Sequence, residues 1–157
     1  MRVRVATPDG AIEAELSGRN DVRLSFRPGF YERCTERDLE RRLAGVAALL
    51  WARRMRAYYE ALSEAYGAPV TGEDAAAGPR DVRYRELRAG LVARGRSADG
   101  RIAVSVRGMR DWDIRIRDGT LRALDEHAFL AAAGEAAGEL IRDQFARIAR
   151  LKGTVYG

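Results

Sequence analysis

The ten residues Asp9 to Gly18, DGAIEAELSG, return ninety positions later as DGRIAVSVRG, Asp99 to Gly108. Sliding the chain over itself by ninety residues, without a gap, sets Gly10 on Gly100, Ile12 on Ile102, Asp21 on Asp111, Arg27 on Arg117 and Gly29 on Gly119. The matches run on through Glu36 and Glu126 and through Leu50 and Leu140 to Tyr66-Gly67 and Tyr156-Gly157. Turn residues and apolar periods coincide, so one unit used twice is the reading that most restricts the fold. In a chain of 157 residues, units of ~60–70 residues bury little apolar surface alone, so the two copies are expected to share a core.

Within each copy the hydrophobic period changes once. Val3 and Val5, then Ile12, Ala14 and Leu16, then Val22, Leu24 and Phe26 alternate with polar residues, the mark of three strands with one buried face. TPDG and SGRND supply residues that tolerate the positive φ of tight turns. In the second copy Leu87, Ala89 and Leu91, then Ile102, Val104 and Val106, then Trp112, Ile114 and Ile116 repeat the scheme, with SADG and GMRD as turns. A helix follows each set of strands. Thr35 with Asp38 makes an N-cap before Leu39, Leu43, Val46 and Leu50, and Phe129, Ala133, Leu140, Phe145 and Ile148 continue the same spacing from about Asp125. The first helix should run to about Tyr66, and GAPVTGEDAAAGPR reads as a linker. The expected organisation is α+β, with βββα units at residues 1–67 and 82–157 joined by a linker at 68–81.

Catalytic groups are sparse. His127 is the only histidine and Cys34 the only thiol, so neither a zinc cluster nor a Cys/His dyad assembles. LKGTVYG has the letters of a phosphate-loop lysine in the wrong order. Glu13 and Glu15 fall on the outer side of a strand, where they are expected to be solvated. No enzyme, metal or cofactor is expected. VAALLWA, the longest apolar run, is far below the ~20 residues of a membrane span. With one cysteine and no apolar segment behind MRVRVATPDG, the expected compartment is the cytoplasm.

The net charge is +5 and Lys152 is the only lysine, so the positive charge is almost all arginine. Strand parity turns Arg2, Arg4, Arg23 and Arg27 outward in the first copy, and Arg107, Arg115 and Arg117 in the second, among Glu13, Glu15 and Asp113. Such a face tracks a phosphate backbone without reading bases; the alternative is a solvated surface. Arg33, Arg37, Arg41, Arg42 and Arg53, Arg54, Arg56 are second candidates. Trp51, Met55, Tyr58, Tyr59, Leu62 and Tyr66 form a second stripe on the first helix, either packed against the other copy or presented to a protein partner.

The stretches DGAIEAELSGRNDVRLSFRPGFYERCTERDLERRLAGVAALLWARR and DGRIAVSVRGMRDWDIRIRDGTLRALDEHAFLAAAGEAAGELIRDQF each resemble the YbaB/EbfC family of small bacterial nucleoid-associated proteins. The resemblance implies two tandem βββα repeats paired as an intramolecular pseudo-dimer, antiparallel sheets covered by long helices, and DNA bound with little sequence preference. The family's long leading helix is not expected within this sequence, since strands begin almost at Met1 and the linker is too short and too rich in Gly and Pro to supply one to the second copy. The shortened unit is similar to the EspH-like proteins of actinobacterial type VII secretion, which implies a protein-binding accessory or chaperone-like adaptor as the other function. A monomeric pseudo-dimer and a homodimer both remain open.

Overall fold

Alternating side chains give strands where expected in the computed structural model, which describes residues 1–71 and 78–157. β1 (Arg2–Ala6), β2 (Ile12–Ser17) and β3 (Asp21–Phe26) form one antiparallel sheet in the order β1-β2-β3. Val3, Val5, Ile12, Ala14, Leu16 and Val22 occupy its buried face. A short 3-10 turn, Tyr31–Arg33, leads to α1 (Glu36–Tyr66), opened by Thr35 accepting the Asp38 N–H at 3.1 Å and closed by Gly67 at φ 67°.

The second part begins with α2 (Pro79–Ala89), followed by β4 (Val92–Arg96), β5 (Ile102–Arg107) and β6 (Asp111–Ile116) in a second antiparallel sheet. α3 (Thr120–Ala123) and α4 (Glu126–Tyr156) complete the chain. Register follows the ninety-residue offset: Val3 faces Leu16 and Ala93 faces Val106, while Ile12 faces Phe26 and Ile102 faces Ile116. The architecture is α+β, with two three-stranded antiparallel sheets and four α-helices among the described residues.

Two expectations fail in the same place. Leu87 and Ala89 lie on α2, not on a strand, and Leu91 precedes β4, which starts at Val92. The linker is correspondingly shorter than 68–81: residues 79–81 already belong to α2, and 72–77 lie outside the described residues. A short helix therefore does stand before the second set of strands. Pro79 at its first position, behind Gly78, is the signal that marks it.

The halves interlock. α1 packs on β1 and β2 of its own sheet and also on β6, while α4 packs on β4, β5 and, across the molecule, β3. One continuous core results, running from Val3 and Leu39 to Phe129 and Leu140. At its centre a cavity of about 70 Å³ is walled by Leu16 and Leu24, by Leu43 and Trp51, by Val104 and Trp112, and by Ala137 and Ile141, so both sheets and both long helices contribute.

Candidate nucleic-acid interface

The outer sheet faces carry the expected arginines, but their electrostatics differ. On the first sheet Arg2, Arg4 and Arg23 stand among three carboxylates, Glu13, Glu15 and Asp21. Register sets Arg4, Glu15 and Arg23 side by side across the three strands. Glu15 is half-buried rather than solvated, with Oε1 at 2.8 Å from Arg2 and 3.7 Å from Arg4, while Arg23 lies 3.6 Å from Asp21. Exposed pairs of this kind stabilise little, yet they cancel the field that would attract phosphate. The second sheet presents Arg94, Arg96, Arg107 and Arg115 against two carboxylates, Asp111 and Asp113. Only Arg115 among these four is ion-paired to a described residue, Asp113 at 3.0 Å. Ala103 and Ser105 replace the glutamates on the middle strand, leaving an arginine excess.

Arg27 and Arg117 do other work. Arg27 donates to the Asp9 carbonyl at 3.0 Å and Arg117 to the Gly100 carbonyl at 3.4 Å, so each tethers the hairpin turn beside it. Several helix-borne candidates are also engaged, though no ion pair to a described residue holds the exposed Arg53 and Arg56: Arg37 donates to the Ile116 carbonyl at 2.6 Å, Arg41 pairs with Asp38 at 2.7 Å, and Arg42 pairs with Asp9 at 3.2 Å. Arg54 donates to the Gly18 carbonyl at 3.0 Å and lies over the Trp51 ring, and burial pushes its guanidinium down from the ordinary arginine value. Arg94 and Arg96 are absent from the expected site residues, because the apolar alternation of Leu87, Ala89 and Leu91 places the first strand of the second sheet ahead of β4.

Edge strands of the second sheet are closed by carboxylates from the helices. Asp143 of α4 accepts the Arg94 N–H at 2.9 Å and Glu135 accepts the Ala98 N–H, while Glu40 and Glu36 of α1 accept from Ile116 (2.8 Å) and Leu121 (3.0 Å). The Asp143 and Glu40 bonds occupy strand backbone groups that a paired strand would need, while Glu135 and Glu36 hold the turn after β4 and the start of α3. On the first sheet, α4 lies against β3 through Gly134 and Gly138, where an added Cβ would come within 2.6 Å of the Val22 carbonyl oxygen and 2.7 Å of that of Asn20.

The aromatic stripe of α1 is divided. Trp51 packs on the core; Met55, Tyr59 and Leu62 are half-buried; Tyr58 and Tyr66 are 46% and 73% exposed. Trp51, Met55 and Tyr59 line a groove of about 880 Å³ that α2, the β5–β6 turn and the end of α4 complete. Met109 in that turn has φ 57°, and Gly108 sits so close to α2 that a Cβ would lie 2.5 Å from the Ala89 carbonyl oxygen. His127 is exposed, and Cys34 is half-buried with its thiol 3.1 Å from the Phe30 carbonyl and pushed up by burial.

These features define an α+β protein with one charge-balanced and one arginine-rich sheet face and an arginine-lined aromatic groove. No family model, curated protein or solved structure matches the chain. Among the described residues, no helix is long and apolar enough to cross a membrane.

Proposed function

We propose that the chain is a tandem duplication of a YbaB-like βββα unit, folded as an intramolecular pseudo-dimer, which binds nucleic acid weakly and without sequence preference through the outer face of β4–β6. Support for the duplication is the recurrence of every strand, and of both 31-residue helices, at an offset of ninety. The observation that carries the binding is the excess of Arg94, Arg96, Arg107 and Arg115 over Asp111 and Asp113 on one face, against balance on the other. Among the described residues no recognition helix accompanies it, so contacts go to phosphates and the affinity depends steeply on salt.

The test is binding of unrelated DNA duplexes across a salt series. With about four phosphates neutralised, affinity should fall roughly a hundredfold between ~50 and ~200 mM salt. Arg94→Ser with Arg96→Ser should flatten the log–log slope by about two, whereas Arg2→Ser with Arg4→Ser should change it little. Absence of binding at ~50 mM salt rejects the reading.

Exposure of Tyr58 and Tyr66 favours the second reading, a protein-binding accessory of the kind associated with type VII secretion. It expects a partner that stays bound after nuclease treatment and is lost in Tyr58→Asp with Tyr66→Asp, with the fold intact.

A further inference from the structure

The groove between α1, α2, the β5–β6 turn and the end of α4 is chemically unlike the sheet face. Arg85 and Arg88 on α2 and Arg107 and Arg110 at the turn all line it, and none of the four guanidinium groups is ion-paired to a described residue. Trp51 and Tyr84 supply aromatic surface. Among the described residues two acids line it, Asp81, which accepts the Tyr156 hydroxyl at 2.5 Å, and Asp111. The same groove is lined by Gln144, which is 3% exposed and whose Oε1 is buried without a hydrogen-bond partner among the described residues. A buried acceptor left unmade costs about 1–3 kcal/mol, so its retention asks for a donor.

We propose that this groove is a binding site for a nucleotide, a phosphorylated heteroaromatic ring held either free or as part of an unpaired strand. The arginines meet the phosphate through charge-assisted bonds, the ring stacks on aromatic surface, and Gln144 accepts from a ring N–H or exocyclic amine. A base inside a duplex has both faces stacked and does not qualify. The site is separate from the sheet face, sharing Arg107 and Asp111 with it, and does not depend on duplex binding.

Trp51 is a built-in reporter, because Trp112 is the only other tryptophan. In Trp112→Phe, adenosine monophosphate and an oligothymidylate of about ten nucleotides are titrated separately while Trp51 emission is followed; the Trp51 indole N–H resonance of the unaltered protein gives the same reading should that variant fail to fold. Saturable quenching by the mononucleotide identifies a free nucleotide as ligand, and quenching by the oligonucleotide alone identifies an unpaired strand; either supports the site. Adenosine and inorganic phosphate should each bind at least tenfold more weakly. Arg85→Ala with Arg88→Ala, on an exposed helix face, should weaken binding tenfold or more, and Arg94→Ser with Arg96→Ser should leave it unchanged. The proposal is overturned when neither probe saturates, when phosphate alone binds as well as the mononucleotide, or when the Arg85/Arg88 variant binds normally.

Discussion

A methyl group added at Gly95 has nowhere to go: its Cβ would stand 2.2 Å from the Ala136 carbonyl oxygen and 2.4 Å from the Leu140 nitrogen, and both belong to helix backbone. Gly95→Ala is therefore expected to destabilise the fold by about 3 kcal/mol, since a packed helix cannot yield as a side chain does. Gly45 lies mid-helix in α1 with nothing within 4 Å, so Gly45→Ala should stabilise by about 0.5–1 kcal/mol. Denaturant unfolding of both variants checks the pair of signs. Tyr31 offers a second test. Its hydroxyl donates to the Leu124 carbonyl at 2.6 Å, and burial first, then nearby carboxylates led by Glu36, push it up to about 12. A raised value means its contribution is whole below the ordinary tyrosine value near 10 and is lost as pH rises from there through about 12. Unfolding free energies measured across that window should fall, and Tyr31→Phe should be less stable at neutral pH by about 1 kcal/mol while losing that part of the alkaline fall. Sequence reading singled out neither residue. A glycine inside a strand does signal close backbone approach, but which helix approaches Gly95 is decided by Ala136 and Leu140, more than forty positions further along the chain.

Strands were legible and their edges were not. Ile12, Ala14 and Leu16, like Ile102, Val104 and Val106, alternate cleanly because large apolar side chains fill the space above each middle strand. β4 reads VARGR, a weak pattern, because α4 lies too close for anything larger than Ala93 and Gly95 on its buried face. The apolar alternation of Leu87, Ala89 and Leu91 then mimicked a strand, although α2 buries none of its residues. Outward arginines followed from parity, but their neutralisation depends on cross-strand register, which put Glu15 between Arg2 and Arg4 and left Arg94 and Arg96 without such a partner. Asp143, which closes the β4 edge, and Glu36, which holds α3 at Leu121, also give an element-level prediction. The Leu121 N–H bond holds the Glu36 carboxyl below its ordinary value; burial pushes Asp143 up, but the Arg94 N–H and Arg147 outweigh it and hold it low. Lowered values mean stability present above the ordinary carboxylate range and lost as pH falls through the depressed ones. Glu36→Gln with Asp143→Asn should thus unfold more easily at neutral pH, by about 1–2 kcal/mol, and show a shallower loss of stability on acidification. An acid slope as steep as that of the unaltered protein would show that these carboxylates do not hold the β4 edge and α3.

At the scale of the molecule, neither half covers the whole of its own sheet. α4 lies on β3 and α1 on β6, and the end where Phe26, Tyr31 and Phe129 meet, with Tyr31 and Phe129 centroids 5.5 Å apart, joins residues from both halves. The groove has the same character, since Trp51, Arg88, Arg107 and Gln144 come from four separate elements, which is why no local motif announced it. Removing residues 78–157 would strip α4 from β3 and uncover Val22, Leu24 and Phe26, at a cost near 1.5–3 kcal/mol for each large apolar side chain fully re-exposed. A fragment of residues 1–71 should therefore fail to unfold cooperatively as a monomer: it is either unstructured or paired with a second copy that lends its own α1. Residues 78–157 expressed alone should behave likewise. Mixing the two should restore native circular dichroism and a one-to-one complex, because each supplies the helix the other lacks. A cooperatively folded monomer of residues 1–71 would mean that α1 suffices to cover the first sheet, and the interlocked core would then be a consequence of folding rather than its condition.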